Sequence, residues 1–270
     1  MFDSGLGGLL IFDLLKRELP NEWFVYLGDT MHMPYGQKTP EQIHHYVTTA
    51  MRWLIEEQGV KLVVVACNTA SSVAANVFAK YADVPFVDPV APICRWLTDH
   101  TSQYPRIGLM ATPATVASNR YGQLMPPGIE LHSVSCGGLA TLIEEGRGDS
   151  EECRQLLHTF VDPLVAWGMQ GLILGCTHYP YVTHQIMPML PAGIEILDPG
   201  VQVVQTVRQI LIERRLAAPP NQPGGTQFFV TQAPERFFHT GQAMPFRYLE
   251  MEYPTLLDLF SDEALLKERC

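Results

Sequence analysis

Short apolar runs rich in β-branched residues alternate along the chain with longer stretches whose apolar positions recur every three or four residues. The runs are WFVYLG (23–28), KLVVVAC (61–67), VPFVD (84–88), RIGLMAT (106–112), IELHSVS (129–135), GLILGC (171–176) and IEILD (194–198). The stretches between them predict helices at 40–58, 69–82, 115–124, 150–167 and 200–215. Apolar strands separated by helices are the pattern of parallel strands covered on both faces, so the expected class is α/β. DPVAPICRWL (88–97) and DPGVQVVQTV (198–207) each place Asp-Pro before a helix and read as two crossings between domains. The expected division is residues 1–92 plus 205–270 for one domain and 93–204 for an inserted one. After the loop-like AAPPNQPGG (217–225), the runs 226–232 and 246–253 read as an added antiparallel pair.

Composition narrows the partners. The 270 residues are 47% hydrophobic and 17% charged, an ordinary globular balance with enough bulk for a proper core. The formal charge of −10, with no Lys/Arg-rich stretch, argues against nucleic acid. No run approaches the roughly 18 apolar residues of a membrane span. The first basic residue is Lys16, so no signal peptide is expected. The cysteines show neither C-x-x-C nor zinc-finger spacing, which fits reduced thiols in the cytoplasm.

Two corners carry the candidate chemistry. VACNT (65–69) and LGCTH (174–178) each put a cysteine at the end of an apolar run, followed by hydroxylic or polar residues that can start a helix. A thiol near a helix N-terminus is favoured as thiolate. A single buried cysteine at such a place is most often a small core residue. Two matched corners in facing domains would instead flank one cleft, as inversion at a carbon centre requires: one group removes a proton from one face and the other delivers a proton to the opposite face.

FDSGLGG (2–8), LGDTMHMPYG (27–36) and ATPAT (111–115) supply further hydroxyls and backbone N–H groups, suited to a small anion, but no Lys or Arg. The glycine-rich start is not a dinucleotide fingerprint, because Leu10 stands at the third glycine position and almost no strand precedes it. Nor is it a lipase elbow, since Phe2 stands where the first glycine should be.

FDSGLGGL, GDTMHMPYG, VACNTAS, ATPATVASNRY and LGCTHYP together resemble the glutamate racemase family, in its order and roughly its spacing, from residue 2 to about 200. The resemblance implies two α/β domains around a cleft, no cofactor and no metal, and a homodimer. It implies interconversion of L- and D-glutamate, supplying D-glutamate for cell-wall synthesis in the cytoplasm. Cys67 and Cys176 would be the acid/base thiols, acting on D- and L-glutamate respectively, with Asp3 and His178 as their polar partners. Ser4, Tyr35, Gly36, Asn68, Thr69, Thr112, Thr115 and Thr177, with Asp3 and His178, would contact substrate. Asp29 and Glu144 would stand behind them. One of the adjacent Glu144 and Glu145 is expected to face solvent, and Cys94, Cys136, Cys153 and Cys270 to be structural or incidental.

Three alternatives remain at this level: a racemase for aspartate or another small acid, a non-catalytic amino-acid binding protein, and a Cys176–His178 hydrolase. Binding alone has no use for paired thiols. The hydrolase leaves Cys67 unexplained, and residues two apart seldom form a nucleophile–base pair. The sequence departs from the family in a first strand reduced to a stub, in Gly137 where proline is usual, and in the VDPVAP crossing. The stub predicts a weakly anchored Asp3 and a gain in stability from an added upstream strand.

Overall fold

The computed structural model describes residues 1–81, 83–244 and 246–261; Cys270 lies outside them. The strands are β1 (Phe2–Asp3), β2 (Trp23–Gly28), β3 (Val63–Val64), β4 (Phe86–Val87), β5 (Arg106–Ala111), β6 (Glu130–Ser135), β7 (Gly171–Gly175), β8 (Glu195–Leu197), β9 (Gly225–Val230) and β10 (Thr255–Leu256). The helices are α1 (Leu9–Glu18), α2 (Pro40–Arg52), α3 (Asn68–Val73), α4 (Ala75–Phe78), α5 (Val90–Thr98), α6 (Pro113–Ser118), α7 (Arg120–Leu124), α8 (Leu139–Glu144), α9 (Glu151–Trp167), α10 (Thr183–Ile186), α11 (Pro199–Glu213) and α12 (Pro234–Gln242). None among the described residues is long and apolar enough to cross a membrane.

The strands form two parallel sheets. One runs β1-β2-β9-β10 and meets the β3-β4 pair through a bridge between Phe2 and Val65, with the Ala66 N–H donating to the Phe2 carbonyl at 2.8 Å. The other runs β6-β5-β7-β8. The two share one wiring. The first strand of each set sits in the middle, the second lies on one side of it, and the third and fourth lie on the other. In a doubly wound sheet the point where the winding reverses is a crevice at the carboxyl ends of the strands, where ligands bind. Here those points fall at Asp3 and Cys67 in one sheet, and at Thr112 and Cys176 in the other.

Each sheet is covered on both faces. Leu9, Phe12 and Leu15 of α1 pack with Val203, Val207 and Leu211 of α11 and with Phe228 on one face of the first sheet. Val47, Met51, Trp53, Leu54 and Val77 cover the other. Leu157, Val161 and Leu164 of α9 and Ile93 and Leu97 of α5 do the same for the second sheet. The Asp-Pro corners cap helices: Asp88 Oδ1 accepts from the N–H groups of Val90 and Ala91 at 2.7 and 2.9 Å, and Asp198 Oδ1 from that of Gly200 at 2.9 Å.

Several sequence expectations are corrected. The C-terminal strands are parallel: β9 pairs with β2 in parallel, α12 makes the crossover, and β10 pairs in parallel with β9. Residues 246–253 form no strand. The buried Asp13 carboxylate accepts the N–H groups of Arg247, Tyr248 and Leu249, so those donors are not free for a ladder. The 115–124 helix begins at Pro113 and breaks at Asn119, whose left-handed φ of 52° starts a second helix. The helix expected over 69–82 is divided into α3 and α4 by Ala74 at φ −106°. The runs at 61–67 and 84–88 pair over two residues each.

Asp3 is not weakly anchored. It is fully buried, β1 pairs in register with Leu27 and Gly28, and the Gly5 N–H donates to Asp3 Oδ2 at 3.0 Å. Below β1, however, β2 runs on to Trp23 while β1 does not follow it. Odd-numbered residues of β2 bond toward β1, as Leu27 and Asp29 do, and even-numbered residues of the β3 segment do likewise, as Ala66 does. A cavity of about 380 Å³ lined by Met1, Trp23, Val25, Leu62, Val64 and Val207 lies between these edges.

Candidate active site

Cys67 and Cys176 are both buried, at 4% and 6% exposure. Cys67 follows β3 and caps α3, its Sγ accepting the Ala70 N–H at 3.5 Å and lying 3.6 Å from Ser4 Oγ. Burial first, then the Asp3 carboxylate, push the Cys67 thiol up to about 12, with Cys176 adding to the same effect. Cys67 is therefore held as the protonated thiol.

Cys176 follows β7 and meets a different partner. His178 Nδ1 stands 3.8 Å from its Sγ, and His178 Nε2 is hydrogen-bonded to Glu144 Oε2. Burial alone would lower the imidazole, but the adjoining Glu144 carboxylate and the Cys176 sulfur outweigh it and hold His178 well above its ordinary value. A proton-carrying imidazole thus faces Cys176, with Glu144 fixing its orientation. Glu144 is buried and Glu145 exposed, so one of the pair does face solvent.

Asp3 lies between the two sheets. Thr177 Oγ1 donates to its Oδ1 at 3.4 Å, joining the ends of β1 and β7. Burial pushes the Asp3 carboxyl up to about 6, against the pull of His178 and of the Gly5 and Gly8 N–H groups. Asp3 acts on Cys67 through charge, whereas the hydroxyl in direct contact with that sulfur belongs to Ser4.

The remaining residues form two clusters. Thr69 Oγ1 lies 2.9 Å from Thr112 Oγ1 and 3.2 Å from Thr115 Oγ1, and Thr112 and Thr115 are 2.9 Å apart. This hydroxyl triangle joins α3 to the start of α6. Beside it Tyr121 donates to Asn68 Oδ1 at 2.7 Å, which fixes the amide and leaves its NH₂ group to point elsewhere. In the second cluster the buried Asp29 carboxylate accepts from Tyr35 at 2.6 Å and Thr231 at 2.7 Å, and its Oδ2 lies 2.9 Å from His32 Nδ1. Asp29 thereby ties the Tyr35–Gly36 turn to the ends of β2 and β9. Gly36 packs on Thr112 so closely that a Cβ would lie 2.7 Å from the threonine Cβ.

The residues expected to act on or contact substrate thus lie at these corners, whereas Cys94 and Cys153 are buried in the cores around α5 and α9. Sequence reasoning missed Tyr121 and Thr231. Tyr121 ends the ATPATVASNRY motif and could have been found as a buried phenol needing a partner. Thr231 carried no local signal, because it reaches Asp29 only through the parallel pairing of β9 with β2. Among the described residues no group of three or more His, Cys, Asp and Glu is arranged to hold a metal.

The fold and site define a two-sheet α/β protein with one thiol at each winding reversal. The profile of the Asp/Glu/Hydantoin racemase family matches residues 13–208. A glutamate racemase of Gloeobacter violaceus is 36% identical over 259 residues, covering 95% of this chain and 91% of its own length. The crystal structure of glutamate racemase from Francisella tularensis in complex with D-glutamate has a TM-score of 0.86 at 32% identity, with 96% of each chain covered. That of the Thermus thermophilus glutamate racemase in complex with β-chloro-D-alanine has a TM-score of 0.82 at 32% identity, again with 96% of each chain covered. The chain belongs to the Asp/Glu/hydantoin racemase family.

Two expectations follow from this geometry. Asp3, whose carboxyl is raised from 3.8 to about 6, contributes stability below about pH 4 that is lost as pH rises through 6. Asp3→Asn should therefore gain in Tm relative to the unmodified protein between pH 4 and pH 7, by an amount on the order of 3 kcal/mol in unfolding free energy; a pH-independent difference would contradict the shift. Gly7 lets its loop approach the end of β7, since a Cβ there would lie 2.8 Å from His178 Nδ1 and closer still to Thr177 Oγ1. Gly7→Ala should cost about 1–3 kcal/mol of stability through overpacking, read by denaturant unfolding; an unaltered midpoint would contradict the contact.

Proposed function

We propose that the protein interconverts L- and D-glutamate by a two-thiol, cofactor-independent acid/base mechanism. The observation that carries this reading is the pair of buried thiols, one at the winding reversal of each sheet, each with its own polar partner. The D-glutamate-bound Francisella tularensis relative, alike over nearly the whole chain, supports the substrate. The reading includes the two-domain division at 1–92 plus 205–270 and 93–204, a cytoplasmic location, a homodimer, and supply of D-glutamate to cell-wall synthesis.

In the L-to-D direction the Cys176 thiolate removes the α-proton, becoming a thiol, while the Cys67 thiol donates its proton to the opposite face, becoming a thiolate. The reverse reaction exchanges the roles. His178, held by Glu144, supports charge on Cys176. Asp3, Ser4 and the Ala70 N–H surround Cys67. The α-proton of an amino acid is a weak acid, so the developing carbanion needs preorganised donors at the substrate carboxylate and a site closed to water. The Thr69, Thr112 and Thr115 hydroxyls, the Asn68 amide, Thr177 and the Tyr35–Gly36 turn are the donors available, supplying hydrogen bonds without a cationic side chain.

The test is polarimetry of purified, metal-free protein with L-glutamate, D-glutamate and both enantiomers of aspartate. Loss of rotation from either glutamate enantiomer, without added cofactor, is expected. Racemisation of aspartate in preference to glutamate, or of neither, would overturn the assignment.

A further inference from the structure

We propose that Arg236 is the residue that captures the anionic substrate at the mouth of the active site. This rests on the reading of the protein as a racemase of an acidic amino acid. Arg236 lies in the first turn of α12, in the segment added after the inserted domain, and is exposed.

Its place follows from the cavities. One of about 190 Å³ is lined by Ser4, Met33, Pro34, Glu144, His178 and Arg236, among others. Ser4 is the neighbour of Cys67 and His178 the neighbour of Cys176, so this cavity reaches the polar partners of both thiols. A second, of about 140 Å³, is lined by Leu6, Thr30, Ala233, Phe237 and, again, Met33, Glu144 and Arg236. Arg236 thus stands where the two cavities adjoin, over the approach to the buried site.

The charge balance there singles it out. The cavity's carboxylates are already engaged: Glu144 with His178, and Glu145 with Arg147 Nη1 at 3.2 Å. Arg236 has no ion-pair or hydrogen-bond partner among the described residues. It is therefore a cation with no counter-ion among the described residues, at the mouth of a site whose other positive group, the His178 imidazole, is already paired with Glu144, on a protein of formal charge −10. An amino acid with two carboxylates is repelled by that overall field, and a cation at a low-dielectric cleft offsets the repulsion locally and raises the encounter rate.

The backbone beneath Arg236 is held firmly. Thr231 Oγ1 accepts the Met31 N–H at 2.9 Å, and Thr30 Oγ1 accepts the Gln232 N–H at 2.9 Å, so the start of α12 is tied to the end of β2. Arg236 serves capture and leaves the proton transfers to the thiols.

Two measurements on the full chain decide this. For Arg236→Gln, kcat/KM for both glutamate enantiomers should fall about fivefold at low ionic strength, with the loss in KM and kcat largely retained. The deficit should shrink as salt screens the charge, and Arg236→Lys should restore most of it. Independently of turnover, the rates at which iodoacetate (an anion) and iodoacetamide (neutral) alkylate Cys67 and Cys176 are compared by mass spectrometry. The iodoacetate/iodoacetamide ratio should drop in Arg236→Gln. An unchanged ratio, an unchanged kcat/KM, or a loss confined to kcat would overturn the proposal. If the unmodified protein racemises nothing, the functional reading fails, while the alkylation ratio still decides whether Arg236 draws anions to the thiols.

Discussion

A reactive group in a parallel sheet is useful only at the carboxyl end of the strands and only where the winding reverses, because elsewhere the crossover helices cover it. This chain meets that constraint twice with the same wiring. β1 and β5 are the central strands, β2 and β6 lie to one side, and β3 and β7 to the other. Asp3 therefore corresponds in position to Thr112, and Cys67 to Cys176. Two thiols presented from two sheets can address two faces of one carbon, which two thiols on one sheet could not do as readily.

The corners are wired alike but surrounded differently. Cys67 is kept as a thiol by burial and by Asp3, while Cys176 faces an imidazole that Glu144 keeps charged. The asymmetry loads the site with a proton on one side and a proton-carrying partner on the other. Bringing two sheets together over such groups demands close backbone approach. Gly7 against Thr177 and His178, and Gly36 against Thr112, are the positions where a Cβ would hold the sheets apart. Burying the Asp3 carboxyl without a lysine or arginine against it opposes stability at neutral pH, the kind of cost that functional sites often carry.

Much of this was legible from residue pattern. The apolar runs mark the strands, the two cysteine corners stand out by repetition, and the polar residues after each run gather at the site. What was not legible depends on distant pairing. The run at 246–253 alternates as a strand should, but Asp13, more than two hundred residues earlier, takes its N–H groups. Thr231 and Arg236 reach the site only because β9 joins β2 in parallel, a register that no local pattern announces. Glu144 could be seen as one of two adjacent acids, yet its contact with His178 needed the fold of α8 over β7.

The claim that the two thiols serve opposite faces is tested most directly by proton NMR in D₂O with Cys67→Ser and Cys176→Ser. Both variants should lose racemisation, and each should still wash out the α-proton of only one glutamate enantiomer, the two variants differing in which one. Equal loss of exchange from both enantiomers in either variant, or full racemisation surviving in one, would contradict it.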